Sequence, residues 1–192
     1  RFHGVTPASA RSPGAMLRCM APLRLKIKLE GGTSMEYRIE KKDAIYLTVK
    51  TSRNAYDKGF EECPKRFEEY FAQGLQHQVC PAIALCVVTE QDKKDNTFTY
   101  AIGDELAEGA AKPEGFETIV VPAATWAVFP CKGALPKAIQ EVRTRIYIEW
   151  LPAGGYRIVD GYDMEVYSLG DTCSPDYESE IWMQVERKDE SK

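Results

Sequence analysis

Apolar and polar residues follow two rhythms along this chain. A two-residue period marks Tyr37-Arg38-Ile39-Glu40 and Ile45-Tyr46-Leu47-Thr48-Val49-Lys50 as β-strands rich in β-branched and aromatic side chains. The rhythm then lengthens. Phe60, Cys63, Phe67, Phe71 and Leu75 recur at steps of three and four, which predicts a helix with one apolar face. Pro64 is tolerable in its first turn, and Gly74 is placed to end it. An apolar run at 82–88 predicts a buried strand, 91–96 a charged turn, 98–102 a strand, 103–115 a polar loop and 116–121 a further strand.

The order of elements then repeats. Residues 126–129 read as a strand. A helix opens at Pro136 with Leu135, Ile139, Val142, Ile146 and Trp150 on its apolar face, and Pro152, Gly154 and Gly155 stop it. Residues 163–167 and 178–186 read as strands around a turn-rich loop at 169–176. The expected fold is α+β: duplicated β-α-β-β units (halves about 35–121 and 122–187) with pseudo-two-fold symmetry, forming an antiparallel sheet with helices on one face. A ligand groove is expected between the halves, where concave sites form. Residues 1–34 hold Pro7, Pro13, Pro22, Gly4, Gly14, Gly31 and Gly32 and read as linker; residues 188–192 read as a charged tail.

Composition narrows the function. A chain of 192 residues buries roughly 70% of its unfolded surface, enough for a real core. It has no apolar run near the ~20 residues that span a bilayer and no signal-peptide core, so a cytoplasmic location without membrane contact is expected. Residues 1–29 carry six basic residues and no acid, leaving an excess of ten acids in the remainder; that acidic body does not suit nucleic acid. The six cysteines form no C-x-x-C pair and the only histidines are His3 and His77, so neither a zinc site nor a Ser-His-Asp or Cys-His arrangement is expected. No phosphate-cradling Gly-rich loop is present, and no metal or cofactor is expected.

What remains is carboxylates among aromatics. Alternation puts Glu165 and Tyr167 on one face of their strand, and Glu180 and Trp182 on one face of theirs. If the strands are neighbours, both pairs can meet on one side of the sheet and suit an organic cation, with rings offering π faces and carboxylates a partner charge. The bland alternative is that these acids simply face water; Glu178 and Glu186, at the ends of the last strand, read that way. Trp150 reads as core, Trp126 as either groove or core, and Tyr100 lies in the first-half counterpart of the Glu180 strand. A carboxylate among aromatics would have a raised pKa, which leaves a Glu–Tyr acid–base pair open.

Thr125-Trp126-Ala127-Val128-Phe129-Pro130-Cys131-Lys132-Gly133, Ile146-Tyr147, Glu149-Trp150-Leu151-Pro152, Met164-Glu165-Val166-Tyr167, Gly170-Asp171-Thr172 and Tyr177-Glu178-Ser179-Glu180-Ile181-Trp182 resemble the GyrI-like small-molecule-binding domain, the effector module of AraC-type and multidrug-responsive regulators. The resemblance covers about residues 35–187. It implies a central pocket in which Glu165 contacts lipophilic cations, with Tyr167, Tyr177 and Glu180 at matching positions. With the aromatics singled out above, the ligand-binding residues expected are Glu165, Tyr167, Tyr177, Glu180, Trp182, Trp126, Tyr100 and Phe67. Some stand-alone relatives hydrolyse strained cyclopropane-bearing compounds, which implies an alternative hydrolase with Glu180 as its catalytic residue; others bind a protein partner. Arg1-Phe2-His3-Gly4-Val5-Thr6-Pro7-Ala8 resembles the closing edge of an AraC-type helix-turn-helix domain. DNA is therefore an expected partner only through reading helices that lie outside this chain, and a homodimer is a further expected assembly.

Overall fold

The computed structural model describes residues 25–28, 34–75, 86–92, 95–106 and 111–189. Among these residues the strands are β1 (Leu25–Lys28), β2 (Ser34–Lys42), β3 (Ile45–Ala55), β4 (Cys86–Asp92), β5 (Thr97–Asp104), β6 (Glu117–Val121), β7 (Ala124–Lys132), β8 (Tyr156–Tyr167) and β9 (Glu178–Arg187). Helix α1 (Gly59–Ala72) is entered through a 3₁₀ turn at Tyr56–Lys58. Helix α2 (Lys137–Arg145) runs on through a π turn (Ile146–Trp150) and a last short turn (Leu151–Ala153).

The strands are ordered β1-β2-β7-β9-β8-β4-β5-β3-β6, and every pairing is antiparallel. The expected duplication is plain in that order: β3-α1-β4-β5 and β7-α2-β8-β9 are mirrored about the β4–β8 pair, which joins the halves. The leading strands are exchanged, since β2 pairs with β7 and β6 pairs with β3.

The sheet cannot be flat. β2 and β3 stand six strand positions apart in the order, which in a flat sheet would separate them by about 29 Å. Only Asp43 and Ala44 connect them, and that link reaches at most about 11 Å. Pro122 and Ala123 impose the same limit between β6 and β7. The sheet therefore curls until its flanks approach, and its two faces hold two separate cores. The helix-free concave face packs Leu47, Val49, Val121, Trp126, Val128, Met164 and Trp182. The other face packs Phe98, Tyr100, Ile102, Phe129, Ile181 and Met183 against Tyr70 of α1 and Ile139, Ile146 and Trp150 of the α2 segment.

The α2 stripe is buried as its spacing predicts. Trp150 is fully buried against Phe129, Tyr37 and Tyr156, with ring centroids 4.9, 5.3 and 6.0 Å away. Helix α1 ends where Gly74 predicts: at φ +66° it lets its own N–H reach the Phe71 carbonyl (2.9 Å) and the Leu75 N–H reach that of Tyr70 (3.2 Å), a paired closure of the last turn.

Some expectations need correction. Residues 25–28, read as linker, form an edge strand on β2, where Leu25 and Ile27 alternate with lysines and Ile27 packs against the helix-face core. Pro64 sits in the second turn of α1, not the first, since the helix begins at Gly59. Strand β8 starts at Tyr156, seven residues early, because it pairs with β9 on both sides of an irregularity between Ile158 and Asp163 that breaks its alternation. The AraC-like run at 1–8, His77 and the apolar residues 82–85 lie outside the described residues.

Candidate functional site

An irregularity in β8 creates the site. Ile158 pairs with Val185, yet Asp163 pairs with Met183, so five residues of β8 advance against two of β9. The odd mismatch switches the face to which each parity points. Tyr156 and Ile158 meet the helix-face core before the bulge; after it, Asp163, Glu165 and Tyr167 point to that face while Met164 fills the opposite core. The bulge is fixed by Gly161 at φ +153° and by Gln184, whose Oε1 accepts the Tyr162 N–H at 3.1 Å.

Asp163, Glu165 and Tyr167 then face Arg143 of α2. Its Nη1 donates to Asp163 Oδ2 at 2.9 Å and its Nη2 to Glu165 Oε1 at 2.7 Å. The Tyr167 hydroxyl donates to Glu165 Oε2 at 2.5 Å. The cluster sits at the join of the halves, for Glu165 pairs across to Val87 of β4. The first half supplies walls: Phe67 of α1 lies 5.1 Å from the Tyr167 ring and 4.9 Å from Phe71.

Electrostatics tie further side chains to the cluster. The Tyr100 and Tyr167 phenols are pushed up, first by burial and then by the negative charge of Glu165. The Cys63 thiol is pushed up to about 12 by burial and then Glu165, and the half-exposed Tyr147 is raised by burial and then Asp163. In all four the carboxylate acts more strongly than Arg143, which opposes it. That ordering agrees with the formal sum of two carboxylates against one guanidinium. Arg143 itself feels burial most, but the two carboxylates outweigh it and hold the guanidinium firmly charged. One acceptor is unfilled: Asp163, whose side chain is 7% exposed, has no hydrogen-bond partner for Oδ1 among the described residues. A buried acceptor left in that state costs about 1–3 kcal/mol.

The site residues expected from sequence divide three ways. Glu165, Tyr167, Tyr100 and Phe67 come together here. Glu180, Trp182 and Trp126 do not join them. Strands β8 and β9 are neighbours, as expected, but their register sets Glu165 opposite Ile181 and Glu180 opposite Val166, so the two acid-plus-aromatic pairs project from opposite faces. On its own face Glu180 accepts from both Arg38 Nη atoms, at 2.7 and 2.8 Å, and from Trp182 Nε1 at 2.9 Å. Trp126 and Trp182 are fully buried, edge to face, 6.0 Å apart in the concave core. Tyr177 is buried in the helix-face core, and its hydroxyl donates to the Ser168 carbonyl at 2.8 Å, holding the loop before β9.

Arg143, Asp163, Cys63 and Tyr147 were not among the ligand-binding residues expected from the sequence. A signal for Arg143 exists: it follows Val142 and lies four residues after Ile139, so it is a charge set inside an apolar stripe. Asp163 had none, because its direction depends on the bulge. Among the described residues no helix is long and apolar enough to cross a membrane, and no metal-binding group of His, Cys, Asp and Glu occurs.

Comparison with known proteins places the architecture. The chain is similar to a protein of Staphylococcus aureus MU50 described as a bacterial transcription regulation protein, with 23% identity and a TM-score of 0.64 over 79% of this chain and 99% of that one. It is similar at 23% identity and a TM-score of 0.61 to SAV2435 bound to tetraphenylphosphonium, over 79% of this chain and 94% of that one. It also matches the integron cassette protein VCH_CASS2 from the mobile metagenome of Vibrio cholerae, at 12% identity and a TM-score of 0.56 over 82% and 97% of the two chains. No curated protein matches the sequence. The family model of the integron-associated effector binding protein matches residues 38–185, from the strand that carries Arg38 to the last residues of β9, and the chain therefore belongs to that family of GyrI-like effector-binding domains.

Proposed function

We propose that this effector-binding domain takes an organic cation with aromatic groups, held at the join of the halves beside Asp163, Glu165 and Tyr167. The observation that carries the reading is the charge balance. Two carboxylates on one strand face share a single guanidinium, so one negative charge remains in a setting of Tyr167, Tyr100, Phe67 and Tyr147. Such surroundings favour a cation with an apolar body, because rings and carboxylate both attract positive charge and partial burial weakens screening. Tetraphenylphosphonium, held by the similar SAV2435, is a ligand of this chemical kind. In a longer parent protein, occupancy of this site would be reported to a helix-turn-helix.

The hydrolase reading places its acid at Glu180. Both oxygens of that carboxylate are engaged by Arg38, and Trp182 adds a third donor. Glu180 acts here as the clasp that holds β2 across β7 to β9, and binding is the better supported function.

The test is a titration with aromatic cations, tetraphenylphosphonium and a protonated aromatic amine among them, followed by calorimetry. Saturable binding is expected, and Glu165→Gln, which cancels the excess charge, should weaken every cation by about tenfold, or ~1.4 kcal/mol. Absence of binding by the whole panel, or identical affinities in wild type and variant, overturns the proposal.

A further inference from the structure

We infer that the ligand's charged group is a nitrogen that still carries hydrogen, a protonated amine or amidine joined to an aromatic body, and that Asp163 is the residue that selects it. This deepens the organic-cation reading and rests on it. Three of the four carboxylate oxygens of the cluster already have donors. Glu165 has both oxygens engaged, one by Arg143 and one by the Tyr167 hydroxyl. Asp163 has Oδ2 engaged by Arg143, while Oδ1 has no donor among the described residues although the side chain is more than nine-tenths buried. A carboxylate oxygen in that position is matched best by a charged N–H, since charge-assisted hydrogen bonds are the strong ones.

The two carboxylates thus have separate roles. Glu165 is committed to Arg143 and Tyr167 and contributes charge. Asp163 contributes charge and an unfilled acceptor, Oδ1, that solvent does not reach. A quaternary ammonium or a phosphonium satisfies the charge but leaves Oδ1 bare. An N–H cation satisfies both. The way in is beside α2: Arg143 keeps 22% of its side chain exposed and Tyr147 is 44% exposed. Tyr147 stands one helical turn after Arg143 and feels the charge of Asp163, so an exposed phenol ring lies at the Asp163 end to receive the aromatic body.

The experiment uses the 192-residue chain and four probes of one ring system and one charge: naphthylmethylammonium and its N-methyl, N,N-dimethyl and N,N,N-trimethyl derivatives. The first three keep an N–H and should bind at least about tenfold tighter than the last, the loss expected for a hydrogen bond to a charged group. The dimethyl compound nearly matches the trimethyl one in bulk, so a step between those two reports the hydrogen and not size. In Asp163→Asn the step should shrink to within a few-fold, whereas Glu165→Gln should weaken all four by a common factor and keep it. Equal affinities across the series, or a decline that follows bulk, overturn the inference and leave the cation reading standing. Persistence of the step in folded Asp163→Asn overturns the role of Asp163. If that variant does not fold, the series on the wild-type chain decides. Failure of all four probes to bind overturns both readings.

Discussion

Arg143 is the residue on which the cluster turns. It is the donor that Asp163 and Glu165 share, and their charges compensate its own partial burial. Removing one partner of a buried ion pair leaves the other charges uncompensated, which costs more than the pair contributes. Arg143→Ala should therefore destabilise the fold by about 3 kcal/mol, the low end of the range for buried pairs because the guanidinium keeps some exposure. Urea denaturation at neutral pH measures it; an unchanged midpoint contradicts the geometry. The buried acids of weak ionisation give a second prediction. Burial pushes the Cys63, Cys131 and Tyr70 groups up to about 12, and Tyr100 and Tyr167 rise as well. A group whose folded value is raised holds its proton in the folded state after the unfolded chain has lost it. Its stabilisation is complete below the unfolded value, about 8.5 for the thiols and about 10 for the phenols, and fades as pH climbs towards 12. Folding free energy should show no pH dependence from these groups between about pH 7 and 7.5 and a progressive loss above about pH 8.5. A profile that rises in the alkaline range would show that these side chains are not buried as described.

At the scale of the element, the bulge in β8 decides which side chains reach the site. Regular alternation through residues 156–167 would turn either Tyr156 and Ile158 or Glu165 and Tyr167 away from the helices; the bulge lets both sets face them. Gly161 is its weak point. A Cβ there would lie 2.5 Å from Gln184 Oε1, and φ +153° already excludes most side chains. Gly161→Ala should force Gln184 off the Tyr162 N–H, cost about 1–3 kcal/mol, and weaken cation binding without touching a ligand-facing side chain. Denaturation and the cation titration together check it; full stability with full binding would mean that the bulge is not what aims the strand. The π turn after α2 acts on the same site, because it begins three residues after Arg143 and carries Tyr147. Such turns recur at functional positions.

At the scale of the molecule, the exchanged strands make the halves interdependent. β2 completes the sheet of the second half and β6 that of the first, and β4 and β8 seal the join. The tryptophans, Trp126, Trp150 and Trp182, all lie in the second half. Their fluorescence and the far-ultraviolet circular dichroism of the whole chain should nonetheless lose signal at one denaturant midpoint, as a single cooperative unit does. Two separate midpoints would show that the halves fold apart. Much of this architecture was legible in the residues. The α2 stripe from Leu135 to Trp150, the stop at Gly74 and the repeated order of strand and helix follow from local periodicity, which is a property of the backbone and needs no partner. Local alternation also placed Glu165 with Tyr167 and Glu180 with Trp182, correctly within each strand. It could not place one pair against the other, because relative register is set between strands: a one-residue offset sent Glu180 and Trp182 to the concave core and left Glu165 to the helices. Arg143 and Asp163 lie 20 positions apart in the chain, and only the curl of the sheet, the bulge and the docking of α2 bring them within hydrogen-bonding distance. The sequence by itself determined the elements and the face each side chain shares with its near neighbours; tertiary structure alone decided which faces meet, since that depends on long-range packing that no local period records.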